Sequence, residues 1–241
     1  AAAGALVQQL RLEVLSNNVA NIDTVGYKAD RSVFQIPDAP DPAFFETPID
    51  GIQSLSPFAP PFASLIDFSQ GAIRSTGNPL DVALNGGGFF CVQTPSGVQY
   101  TRQGNFGLND QGVLISPDGY PVLGEGGEIT LDEGVVEIDA QGTLFVAGDE
   151  IDRLRIADFQ DPGRLVKVGN SRFAALDTAV EQDRPTDTSL QQGYLEAANV
   201  NAVQAMTEMI ETSRAFEAYQ KIIQTADEAT ATSINDVGAA T

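Results

Sequence analysis

From residue 199 to residue 237, small and apolar residues recur at alternating spacings of four and three. The positions are Ala205, Met209, Thr212, Phe216, Tyr219, Ile223, Ala226, Thr230, Ser233 and Val237. That period belongs to a helix with one apolar seam, and its persistence predicts one long helix. Asn201 with Gln204 three residues on resembles a capping box, and Gly238 suits a C-terminal stop. Val203, Met206 and Ile210 lie about 100° round the helix from the seam, so the helix carries a second apolar patch.

Residues 1–22 predict another helix, free of proline and rich in Ala, Leu, Gln, Arg and Glu. Leu6, Val7, Leu10 and Val14 share one side, and Leu12, Leu15, Val19 and Ile22 share the adjoining side. A helix apolar on most sides is buried on most sides. Asp23-Thr24-Val25-Gly26 reads as its stop. Asn17, Asn18 and Asn21 are unusual there, because the Asn amide competes for backbone groups. Either these amides hydrogen-bond across a packed interface, or they cap a fraying helix end. The chain opens on Ala1-Ala2-Ala3, which reads as helix interior, so the natural N-terminus is expected upstream. No basic n-region with an apolar h-region opens it.

Residues 36–64 read differently. Seven prolines (37, 40, 42, 48, 57, 60 and 61) interleave with Phe44, Phe45, Phe58 and Phe62. Helix is excluded and a regular central strand is disfavoured, which predicts an extended, packed connector. From residue 65 to residue 195 short apolar runs alternate with turn signals. Among these are Asn85-Gly86, Pro95-Ser96-Gly97, Asn109-Asp110-Gln111-Gly112, Asp139-Ala140-Gln141-Gly142 and Ala147-Gly148-Asp149. That rhythm predicts an antiparallel β domain. Phe89-Phe90-Cys91-Val92 reads as its buried central strand, with Cys91 a core residue rather than a reactive thiol.

The expected fold is therefore α+β. The terminal helices (1–35 and 196–241) pair as a coiled-coil-like helical domain, and an antiparallel β domain is inserted between them. One face of each helix is buried by pairing. The second patches remain over, which points to neighbouring subunits.

Composition excludes several chemistries. The 241 residues contain no His and one Cys, which removes imidazole catalysis, disulfides within the chain and Cys-rich zinc or iron–sulfur sites. A formal charge of −20 argues against a nucleic-acid surface. Most of that acidity lies between residues 36 and 195, whereas residues 1–35 balance three acids with three bases. No segment approaches the roughly 18–20 apolar residues of a membrane span. Gly86-Gly87-Gly88 lacks the Lys-Ser/Thr of a phosphate loop and runs into a strand. Asp132/Glu133 and Asp149/Glu150 could serve a hydrolase as acid and base, or calcium could sit at the Asp-Gly turns; solvated loops are the simpler reading of both. No catalytic residue, cofactor or metal site is expected.

Ser16-Asn17-Asn18-Val19-Ala20-Asn21-Ile22-Asp23-Thr24-Val25-Gly26-Tyr27-Lys28 resembles the signature of the bacterial flagellar basal-body rod and hook proteins. Residues 76–90, from Thr76-Gly77-Asn78-Pro79-Leu80-Asp81 to Phe89-Phe90, resemble that family's core block. Tyr100-Thr101-Arg102-Gln103-Gly104-Asn105-Phe106 follows at the expected distance. Asn199-Val200-Asn201 through Gln224-Thr225-Ala226-Asp227-Glu228 resembles its C-terminal helix. Two strings, residues 27–35 and 232–238, are more similar to the proximal-rod branch than to the distal-rod branch, which stays the near alternative.

The resemblance implies a non-enzymatic subunit of the flagellar basal body, in the rod that crosses the periplasm. It implies export by the flagellar type III apparatus and polymerisation with itself, inner rod subunits and the distal rod protein. Terminal helices would line an inner tube, with the β domain outside. On that reading the assembly interface comprises Leu12, Leu15, Asn17, Asn18, Val19, Asn21, Ile22, Val203, Met206, Met209, Ile210, Phe216, Tyr219 and Ile223. The competing readings are an acidic β-domain hydrolase and a calcium-binding extracellular module.

Overall fold

The computed structural model describes residues 2–34, 62–176, 178–185 and 187–239. They form two compact units, one from residues 1–20, 30–65 and 201–241, the other from residues 21–29 and 66–200. Most of the expected connector, residues 36–61, lies outside the described residues. Its last residues belong to the strand Phe62–Ile66.

In the first unit, helix α1 spans Ala2–Ala20 and helix α2 spans Ala202–Ala239. Strands Asp30–Phe34 and Phe62–Ile66 pair as a two-stranded ribbon. Half of the expected capping box forms at the start of α2. Asn201 Oδ1 accepts from the Gln204 amide at 3.1 Å, while the Gln204 side chain donates forward to Glu208 at 2.9 Å instead of reaching back. Gly238 does not stop the helix, which runs one residue past it.

The chain order of helix, strands and helix agrees with the expectation, but the coiled-coil-like helical domain does not. The helices touch: a Cβ added at Gly4 would lie 2.7 Å from the Tyr219 ring. Yet α1 has 19 residues against 38 in α2 and cannot cover its length. Along the seam Ala205 and Thr212 are buried, and Met209, Phe216, Tyr219 and Ile223 are half-buried. Ala226 and Thr230 are exposed. Ser233 and Val237 lie outside the described side chains. A heptad pattern guarantees an apolar seam but supplies no partner to cover it. The first unit also contains the ribbon, so it is not a helix pair alone.

The second unit is antiparallel β. Six strands run in the spatial order Leu165–Gly169, Arg172–Ala175, Gly97–Thr101, Phe89–Thr94, Ile156–Phe159 and Glu181–Asp183. Smaller sheets and ribbons surround them, including a three-stranded sheet of Val136–Ile138, Thr143–Val146 and Asp149–Arg153. The turn signals become turns. Asn109 Oδ1 accepts from the amides of Gln111 and Val113, and Asp139 Oδ1 accepts from Gln141 and Thr143. Ala147 and Gly148 both have positive φ, 53° and 95°, which is the geometry of a two-residue hairpin turn.

Phe89–Thr94 lies inside, with neighbours on both edges and cores on both faces. Successive side chains of a strand point to opposite faces. Phe90 and Val92 join one cluster with Val82, Leu84, Phe106 and Leu114. Phe89 and Cys91 join the other with Tyr100, Phe159, Leu165 and Phe173. Edge-on ring contacts tie each side, Phe90 to Phe106 at 5.0 Å and Tyr100 to Phe159 at 4.8 Å. Burial on both faces explains why this strand reads as an unbroken apolar run.

Burial also pushes the Cys91 thiol up from about 9 to about 12. In the folded chain Cys91 is therefore expected to resist alkylation at pH 8, and to be modified at the rate of a free thiol in denaturant. Between pH 9 and 12 the unfolded thiol ionises and the folded one does not, so stability should fall as pH rises. A Cys91→Ala chain should lack that component in its urea midpoints across the window.

Candidate functional site

The side chains expected at an assembly interface have different environments. On α2, Val203, Met206 and Ile210 are exposed at 76%, 51% and 55%. They stand at spacings of three and four, so they form one short stripe. On α1, Leu15 is buried and Leu12 and Val19 are half-buried. Leu12 and Asn17 also line a shallow depression on one face of α1 with Gln9, Glu13, Ser16 and Ala20. Ile22, beyond the end of α1, is half-buried in the second unit.

The three asparagines do different work. Asn18 is buried, and its amide pairs with the backbone of Asp30 in both directions. Asn18 Nδ2 donates to the Asp30 carbonyl at 2.8 Å, and the Asp30 amide donates to Asn18 Oδ1 at 2.9 Å. This fixes the last turn of α1 against the first strand of the ribbon. Asn21 Oδ1 accepts from the Thr24 hydroxyl at 3.2 Å in the turn after the helix. Asn17 is exposed.

Sequence reasoning missed a buried charge centre in the second unit. Glu196 Oε1 accepts from Lys28 Nζ at 2.7 Å and from the Gly71 amide at 2.8 Å. Its Oε2 accepts from Arg102 Nη1 at 3.1 Å. Lys28 and Glu196 are 1% exposed, and Arg102 is 5% exposed. Lys28 also donates to the Ser69 carbonyl, and Arg102 to the Gly86 carbonyl at 2.8 Å. The Arg102 guanidinium stands 5.3 Å from the centre of the Phe89 ring. Burial pulls the Lys28 ammonium below the usual lysine range, and the Glu196 carboxylate pulls it back up. Burial acts on Arg102 in the same direction, again opposed by Glu196.

Local geometry delivers these groups. Gly26 has φ +65°, and a Cβ there would lie 2.4 Å from the backbone carbonyl carbon of Arg102. Glycine alone lets the chain turn there and pass that close. The Gly26 amide donates to the Glu196 carbonyl at 2.8 Å. Lys28 and Arg102 fall inside the strings that carry the family resemblance, which was the available signal. Glu196 falls in none of them.

The arrangement holds chain together and presents no reacting group to a ligand. Among the described residues no cluster of three or more Cys, Asp or Glu could hold a metal ion. Asp132, Glu133, Asp149 and Glu150 are exposed. No helix among the described residues is long and apolar enough to cross a membrane. A second polar cluster lies at the sheet's far edge, where Glu181 accepts from Tyr100 Oη at 2.7 Å and from Arg155 Nη2 at 2.6 Å. Burial, then that hydrogen bond, push the Tyr100 phenol up.

Asn18→Leu raises helix propensity but strands both Asp30 backbone groups. It should cost about 1–3 kcal/mol. Urea unfolding should show the loss, and the Asp30 amide should exchange with solvent faster than in the parent chain.

Comparison with known proteins fits this picture. Residues 1–28 match the family described as flagella basal body rod protein. Residues 83–146 match the D1 domain of the flagellar hook protein FlgE/F/G family, and residues 191–236 the C-terminal region of flagellar basal body rod FlgEFG proteins. The chain is 32% identical to the flagellar basal-body rod protein FlgG of Buchnera aphidicola subsp. Schizaphis graminum over 243 residues, covering 92% of each chain. It is 32% identical to the rod protein FlgF of Caulobacter vibrioides over 230 residues, covering 94% of this chain and 91% of that one. To FlgG of Bacillus subtilis it is 34% identical over 243 residues, covering 91% and 90%. FlgF and FlgG relatives thus stand at similar identity. The chain belongs to the flagellar basal-body rod family, a structural component of the bacterial flagellum's basal body and not an enzyme.

Proposed function

We propose that this chain is a proximal-rod subunit that polymerises through its terminal helices into the torque-transmitting shaft. The observation that carries the reading is the exposed stripe of Val203, Met206 and Ile210 on α2. Contiguous apolar side chains left in water mark contact surfaces more often than isolated ones. Leu6 of α1 and Ile222 of α2 are also exposed, at 37% and 55%. Leu12, Asn17 and Val19 of α1 and, in the second unit, Asn21 and Ile22 complete the proposed contact set. Met209, Phe216, Tyr219 and Ile223 of the seam belong to it as well.

Its neighbours are further copies, inner rod subunits and the distal rod protein, and the flagellar type III apparatus delivers it. The strings at residues 27–35 and 232–238 favour the proximal branch. A rod subunit works mechanically. Close-packed side chains deform little, so helices packed on several sides carry torque without slipping.

Val203 and Met206 lie in the opening turns of α2, where an added carboxylate favours the helix macrodipole. Val203→Asp and Met206→Asp should therefore leave the isolated chain's urea midpoint within about 0.5 kcal/mol of the parent. In cells both should abolish rods and motility. Motile Met206→Asp cells with normal basal bodies would sink the proposed surface. A photocrosslinker at position 206 should join this chain to other rod proteins in purified basal bodies; crosslinks to hook or hook-junction proteins would favour the distal placement.

A further inference from the structure

We propose that residues 21–29 are a strap whose closure on the second unit is conditional on residues 194–200, with Glu196 as the latch. The strap is joined to the unit chiefly through polar bonds. Neither apolar cluster among the described residues draws a member from it. Those clusters are built from residues 82–190. The strap's buried side chains are Tyr27, Lys28 and Ala29.

Its attachments gather on Glu196 and Asn199 and on the segment beside them, where the Asp67 amide donates to the Ala29 carbonyl at 2.8 Å and Lys28 Nζ to the Ser69 carbonyl. The Gly26 amide donates to the Glu196 carbonyl, the Asn199 amide to the Tyr27 carbonyl, and the Ala29 amide to Asn199 Oδ1 at 2.7 Å. Lys28 reaches the Glu196 carboxylate. Asn199 Nδ2 then donates to the carbonyls of Asp67 and Ser69, which binds the next segment to the same residue. From the outside Lys167 covers the strap. Its Nζ stands 4.4 Å from the Tyr27 ring centre and donates to the Lys28 carbonyl.

The partners lie far apart in sequence, Lys28 and Glu196 by 168 residues. A contact of that separation forms late, because the intervening loop entropy must be overcome first. A buried ion pair adds less net stability than an apolar contact of the same size, since both ions lose their hydration. Opening the strap returns Lys28 to water and leaves Glu196 still paired with Arg102. The strap is therefore the part of the unit that opens first, and both clusters survive its opening.

Hydrogen exchange of the full chain, read by mass spectrometry, tests this. In the parent, peptides covering residues 21–29 should exchange faster than the strand Phe89–Thr94. Glu196→Gln and Lys28→Met should each speed exchange in 21–29 by about tenfold or more, the effect of one lost charge-assisted hydrogen bond. Phe89–Thr94 should stay within about twofold of the parent. Equal rates for strap and central strand in the parent would overturn the proposal. So would variants that speed both segments alike, or neither. Lys28→Met keeps the Glu196–Arg102 pair, so it remains informative if Glu196→Gln does not fold; a Lys28→Met chain that cannot fold shows the strap to be inseparable from the core and also overturns the idea.

Discussion

Glu196 holds Lys28 on one carboxylate oxygen and Arg102 on the other, so three charges leave water together in the second unit. Removing ions from water costs several kcal/mol each, and only close pairing with further hydrogen bonds repays it. The surroundings supply those bonds: the Gly71 amide to the carboxylate, and the Ser69 and Gly86 carbonyls to the cations. This sets strict local demands. Gly26 must be glycine for its backbone to approach Arg102, and Gly71 lies so near the Ala197 carbonyl that a Cβ would be 1.9 Å away. One ionic requirement thereby fixes the paths of three segments distant in sequence.

The parts of the fold legible in the sequence are those whose signal is local. Helical periodicity and absence of proline place α1 and α2 to within a few residues. Turn chemistry is equally local, since Asn109 and Asp139 bond amides only two and four residues ahead. The apolar run around Phe89 announces a strand covered on both faces. The charge centre carries no such signal. A lysine bound for the interior looks like any solvated lysine until its partner is known, and here the partner is 168 residues away. The signature strings contained Lys28 and Arg102 but gave no reason for their charge.

The coiled-coil reading failed for the opposite reason. The four-and-three pattern of α2 is present and correctly predicts which side of the helix is covered, because Ala205 and Thr212 are its buried members. It says nothing about what covers that side or how far. Asn18 shows the same gap at the scale of one residue. Its amide could bridge subunits or cap a helix on sequence grounds; in the structure it spans α1 and the neighbouring strand, pairing with the backbone of Asp30.

Acidic charge together with a local apolar stripe bears on how such a subunit avoids random association. Residues 36–195 carry 23 of the 33 acids. Like charge on that scale keeps proteins apart at ordinary ionic strength, reaching about 8 Å at physiological salt. Scattered exposed residues of the β unit, such as Val135 and Val180, are embedded in that field. The stripe on α2 has acids beside it too, Glu208 and Glu211, and residues 196–241 carry seven acids against two bases. Net acidity with contiguous apolar side chains at one stripe favours specific contact, because contacts that bury no apolar surface meet like charge unrewarded and are penalised.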